Sequence, residues 1–111
     1  MNIAHRDHQH VTVLTLKGEM VRESAERFRR AALDRVDAGI RDFVIDGQAL
    51  EAVDSPALEA LLWLQEQANE RLGQVRLAAC PPFLTDVLTM TRLNHRLQHL
   101  PTVDQAVQSL E

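Results

Sequence analysis

Val53-Asp54-Ser55-Pro56-Ala57-Leu58 joins an apolar run that reads as a strand, Phe43 to Ile45 followed by a short loop, to a long run with helical spacing from Ala57. Proline is favoured at the first helical position, because its missing N–H would have had no partner there and its φ is already helical. Pro56 at that position predicts Ser55 as the N-cap of a helix that continues to about Leu72, before Gly73. The Ser55 hydroxyl is then expected at the positive end of a helix macrodipole beside unpaired backbone N–H groups, where a phosphate is accommodated. Two readings follow: Ser55 caps its helix, or it is a reversible phosphorylation switch.

Outward from this point the chain alternates. Val11 to Leu16 shows the period-2 pattern of a strand, the Asn2 to His8 segment pairs with it, and Gly18 ends the unit. From about Arg22 to Ala38 the residues Val21, Ala25, Phe28, Ala32 and Val36 recur at helical spacing, with Gly39 as a C-cap signal. Asp42 to Asp46 and Val75 to Ala79 read as short strands, Phe83 to Leu93 as a third helix and Leu97 to Leu100 as a last strand. Thr102 and Gln105 form a capping-box signal for a C-terminal helix whose Val103, Ala106, Val107 and Leu110 share one face. Strand–helix alternation implies right-handed crossovers onto a largely parallel sheet, and the first hairpin adds an antiparallel edge.

Composition bounds the function. The 111 residues give room for one domain with one core, and 45% hydrophobic with 25% charged residues is an ordinary globular balance. A net charge of −4 argues against nucleic acid or an anionic membrane as the main partner, and the arginines of the first helix are interspersed with Glu23, Glu26, Asp34 and Asp37. No apolar run approaches the about 20 residues needed to span a bilayer, and the N-terminal stretch lacks the apolar core of a signal peptide, so a cytoplasmic protein is expected. Cys80, the single cysteine, reads as a buried structural thiol at a strand end.

No catalytic set emerges, and the expectation is a non-enzyme without cofactor or metal. The glycines are scattered and write no phosphate loop. His8 and His10 lie on one strand face, but two imidazoles without further ligands make a poor metal site. Asp46 at a strand end lacks the acidic pair of a phospho-aspartate receiver.

The order of pieces resembles the STAS family, named for sulphate transporters and anti-sigma factor antagonists, over nearly the whole chain. The landmarks are Leu16-Lys17-Gly18-Glu19-Met20, Phe43-Val44-Ile45-Asp46, Val53-Asp54-Ser55-Pro56-Ala57-Leu58, Val75-Arg76-Leu77-Ala78-Ala79, Pro82-Phe83-Leu84, Met90-Thr91-Arg92-Leu93 and Asp104-Gln105-Ala106-Val107. The resemblance implies one domain over residues 1–111, an α/β fold with a mixed β-sheet of four to five strands covered by about four helices. It also implies that Ser55 is phosphorylated by a partner that is both kinase and anti-sigma factor. The chain departs from the family pattern at two places: Pro56 and Ala57 stand where Ser or Thr and then Gly are usual, so that a proline ring with an alanine methyl is expected to crowd a kinase, and an aspartate common shortly after Gly18-Glu19 is replaced by Met20 or Val21. The alternative implied is a non-phosphorylated STAS subunit, such as the partner of an ABC-type lipid transporter's ATPase, or a signalling scaffold.

In either case the expected partner-binding residues are Asp54, Ser55, Pro56, Glu59 and Trp63. Asp54 and Glu59, four residues from Ser55, make the site acidic, so phosphorylation is expected to release a partner rather than recruit one. The helical projection sets Ala57, Leu58, Leu61, Ala68 and Leu72 toward the sheet and Trp63 nearly opposite, among Glu59, Glu66 and Glu70. Trp63 is then either an aromatic anchor for a partner or a packing residue against a neighbouring helix. Nothing in the sequence fixes the oligomeric state.

Overall fold

The computed structural model describes residues 1–111. Its elements in chain order are β1 (Asn2–His8), β2 (Val11–Met20), α1 (Arg22–Asp37), β3 (Asp42–Val53), α2 (Ser55–Glu70), β4 (Val75–Ala78), α3 (Pro82–Met90), a 3-10 turn (Leu93–His95), β5 (Gln98–Leu100) and α4 (Val103–Ser109). The five strands form one sheet in the order β1-β2-β3-β4-β5, antiparallel between β1 and β2 and parallel elsewhere. Five strands and four helices agree with the expected mixed sheet, and the antiparallel edge lies where the first hairpin puts it.

The central strands are buried on both faces: Phe43 to Ile45 of β3 is a continuous apolar run for that reason, whereas β2, whose alternation predicts one buried face, covers Thr12 as well. Leu14, Leu16, Phe43, Ile45 and Leu77 point to the larger core, where they meet Phe28 and Ala32 of α1, Leu61 and Leu64 of α2, and Leu84 and Leu88 of α3. Val11, Val13, Val44 and Ala78 point the other way, onto Ala106 of α4, with Val103, Val107 and Leu110 packed around it. The face expected of α4 is thus the one it buries, and the Thr102 hydroxyl caps it by accepting from the Gln105 N–H at 3.1 Å.

Several boundaries differ from the sequence reading. Gly18 does not end β2. It takes φ +101 inside the strand beside a register shift, and the strand continues to Met20. Nor does β3 stop at Asp46: it runs on through Gly47 to Val53, carried by pairing of Lys17 with Ala49, Gly18 with Leu50 and Met20 with Val53. Two helices are shorter than expected, α2 ending at Glu70 and α3 at Met90. Leu72, expected to face the sheet, lies past the end of α2 and is 88% exposed. No helix is long and apolar enough to cross a membrane.

Candidate functional site

The turn from β3 into α2 does not place Ser55 at the N-cap. Asp54 holds that position with extended backbone, and its Oδ1 accepts the Ala57 N–H at 3.0 Å. Ser55 is the first helical residue and Pro56 the second. Aspartate and serine are equally good N-caps, and proline is tolerated wherever in the first turn its N–H would lack an intrahelical partner, so Asp-Ser-Pro is compatible with either assignment.

The shift by one residue changes what the serine does. Because Asp54 supplies the capping oxygen, the Ser55 hydroxyl makes no hydrogen bond within the chain, and the residue is exposed at the tip of a 16-residue helix. Glu59, one turn on, is exposed on the same outer face. Pro56 is half-buried, and Ala57 is fully buried, so its methyl group lies in the core rather than above the serine. The expected crowding therefore reduces to Pro56 alone.

Asp54 has a second task that the sequence did not disclose. Its Oδ2 accepts the Arg22 N–H, the first of α1, at 2.9 Å, and its own N–H reaches the Met20 carbonyl at 3.3 Å. Ser24 completes the start of α1: its Oγ accepts from the Val21 N–H at 2.9 Å and lies 3.0 Å from the Glu19 carbonyl oxygen.

Trp63 lies at the seam between the two helices. It is half-buried against the main core, and the Arg29 guanidinium of α1 stands 5.3 Å from its ring centroid. The helical projection set Trp63 nearly opposite the buried face, whereas the ring packs against the main core beside α1. It could not foresee α1 on that flank, so the ring is not freely presented among the glutamates. On the outer face Glu66 is reached by Arg96 at 3.6 Å.

The remaining candidates lie elsewhere. Cys80 is half-buried rather than sealed in the core, and burial, followed by the nearby Asp46 carboxylate, pushes its thiol up to about 12, far from a nucleophilic thiolate. Asp46 sits within β3, not at its end, and its Oδ1 accepts the Gln48 N–H at 3.1 Å. His8 and His10 do not share a site: His8 meets Glu111 at 2.8 Å, whereas His10, beyond the strand, meets Asp42 at 3.2 Å and the Leu110 carbonyl at 3.0 Å. No three His, Cys, Asp or Glu side chains are grouped to hold a metal ion.

The same fold recurs in solved structures. An anti-sigma factor antagonist from Mycobacterium paratuberculosis is 25% identical, with a TM-score of 0.88 over 98% of this chain and 92% of that one. The Bacillus cell fate determinant SpoIIAA in its phosphorylated form is 16% identical, with a TM-score of 0.78 over 99% of this chain and 100% of that one. The murine anion transporter Slc26a9 contains the fold as 18% of its chain, at 15% identity and a TM-score of 0.79 over 95% of this one. None of the curated proteins matches the sequence. The family model described as "Mlab, STAS domain" matches residues 3–102, and on that match the chain belongs to the STAS-domain family.

Proposed function

We propose that the chain is a regulatory interaction module of the anti-sigma factor antagonist kind, acting in the cytoplasm. The tip and outer face of α2, with Asp54, Ser55, Pro56, Glu59 and the exposed edge of Trp63, bind a partner that is both serine kinase and anti-sigma factor while Ser55 is unmodified. Phosphorylation of Ser55 releases that partner. The observation that carries this reading is the free hydroxyl: Asp54 caps α2, so Ser55 is exposed with no structural bond of its own to give up.

The electrostatics set the direction. Phosphorylation adds roughly −1.5 to −2 charges beside Asp54 and Glu59, with Glu51 exposed near by. A partner fitted to the unmodified patch meets repulsion and a desolvation cost, and about 1.4 kcal/mol is enough for a tenfold loss of affinity. The test is incubation with ATP and the co-encoded kinase, followed by mass measurement. One added phosphate that is absent from Ser55→Ala supports the switch. An unmodified chain beside a kinase active on other substrates overturns it.

Pro56 favours a second reading. A ring fixed next to the serine suits a surface that binds one partner permanently, and the fold also occurs within an anion transporter. In this reading the chain is a non-phosphorylated subunit, with the ATPase of an ABC-type lipid transporter or a signalling assembly as partner. Co-purification of the unmodified chain with such an ATPase, unaffected by Ser55→Ala, distinguishes it from the switch.

A further inference from the structure

We infer that the outer edge of β1 is a docking site for an extended acidic segment of a partner protein, which joins the sheet as a sixth strand. β1 pairs only with β2, so one row of its backbone N–H and C=O groups faces outward without a strand to receive it. All its residues except Ile3 are exposed. Clefts open on both flanks of this edge. On the α1 side a cleft of about 310 Å³ is lined by Ile3, Arg27, Arg30 and Ala31. On the α4 side a larger cleft, about 460 Å³, is lined by Arg6, His8, Val107 and Gln108, together with Asp104 and the Glu111 that His8 already engages.

Successive side chains of a strand point to opposite faces, so a strand laid on β1 sends its side chains alternately into these two clefts. Main-chain bonds then supply affinity and the clefts supply selectivity. The charge of the clefts selects the occupant. Arg6, Arg27 and Arg30 are exposed and none has a carboxylate within ion-pair distance, although the chain as a whole carries a net charge of −4. Asp7, the one carboxylate on β1, is taken up by the Thr12 hydroxyl at 2.6 Å and by Arg35 at 2.9 Å. The α1 flank of the edge is therefore locally cationic and complements carboxylates, whereas on the α4 flank Arg6 shares its cleft with Asp104 and Glu111. A second copy paired edge to edge would bring two arginine-bearing flanks together across the seam, which makes a different, acidic chain the better occupant. The same charged side chains discourage indiscriminate strand pairing.

The probe is a fluorescein-labelled peptide of alternating glutamate and valine, offered to the full chain in low salt. The expected result is saturable binding, slowed amide exchange confined to alternate residues of β1, and about tenfold weaker binding by the double variant Arg27→Glu, Arg30→Glu. Methylating every second peptide nitrogen tests the strand geometry without altering the protein: methylation on one edge of the peptide abolishes binding and on the other edge leaves it intact. The inference is overturned if the peptide fails to bind, if both methylated peptides bind like the parent, if exchange slows on α2 instead, or if β1 is already protected by dimerisation without peptide.

Discussion

The Asp54 carboxylate accepts the backbone N–H of Arg22 at 2.9 Å, so one side chain terminates two helices that begin 33 residues apart. Parallel pairing is what permits this. Met20 and Val53 are register partners at the ends of β2 and β3, and each strand turns directly into a helix there, so both helix N-termini emerge side by side. A single negative charge then serves both positive helix ends and satisfies one orphan N–H in each.

Asp54→Ala is therefore expected to cost more than the usual loss of an N-cap. Removing the cap of α2 accounts for about 1 kcal/mol and the charge-assisted bond to Arg22 for about 1.5 kcal/mol, a fall in melting temperature on the order of 10 °C. Ser55→Ala, which removes a hydroxyl without a bond, is expected within about 0.5 kcal/mol of the parent chain. Thermal unfolding of both variants checks the pair, and equal melting temperatures would refute the double cap. It follows that the switch is to be probed through Ser55, because an Asp54 variant mixes binding with stability.

Trp63 and Arg29 give a measurable coupling. A guanidinium over a tryptophan face at a part-exposed site is worth about 0.5–1 kcal/mol. Trp63→Ala and Arg29→Ala combined in a double-mutant cycle are expected to show a coupling of that size in urea unfolding. Trp63→Ala alone should also lower stability through lost packing on the core. A coupling of zero would mean that Arg29 does not hold the ring against α1.

The fold was legible where side-chain period and strand burial agree. Phe43 to Ile45 is apolar because both sheet faces are covered, the valines and leucines of Val11 to Leu16 and Val75 to Ala78 are buried, and the stripe Ala25, Phe28, Ala32 and Val36 is the buried stripe of α1. What escaped was imposed from outside the local segment. Gly47, Gln48, Ala49 and Ala52 have little preference for strands and read as a loop, yet Ala49 and Ala52 pair with β2 across a register shift at Gly47 and Gln48, and the segment stays in the strand. At the candidate site the start of α2 was legible to within one residue, but not which side chain caps it: Asp54, not Ser55, holds the N-cap. The role of Asp54 was not legible either, since its second partner is 32 residues away in sequence. The neighbour of Trp63 was hidden for a similar reason, because a helical projection knows one helix and not the helix beside it.

His99 predicts a pH dependence. Burial holds its imidazole below the ordinary value of 6.5, and Nε2 stands 3.1 Å from the Cys80 N–H, a geometry that requires that nitrogen to be unprotonated. With the folded value depressed, the unfolded chain binds more protons in the window below 6.5. The stability contributed by neutral His99 is thus complete above that window and lost as pH falls through the folded value. His99→Gln, whose side-chain oxygen can accept the same N–H without titrating, should flatten this loss. Unfolding free energies of the two chains at about pH 7.5 and about pH 5 check it, the other histidines being common to both. Parallel pH profiles would count against the bond.

The end of α2 yields an opposed pair of substitutions. A helix followed by glycine suggests that the glycine takes the left-handed conformation, yet here Leu72 does so, at φ +62, with its side chain exposed. Gly73 is needed for a different reason: a Cβ at this position would overlap the backbone carbonyl of Arg41, where the chain enters β3. Gly73→Ala should therefore cost about 1–3 kcal/mol, since backbone rather than a flexible side chain must move. Leu72→Gly removes the left-handed strain, worth roughly 1–2 kcal/mol, against a smaller entropic penalty in the unfolded chain, so a net gain of about 0.5 kcal/mol is expected. Urea midpoints at unchanged slope measure both. A destabilised Leu72→Gly would count against backbone strain at Leu72, and a neutral Gly73→Ala against the close approach of the Arg41 carbonyl.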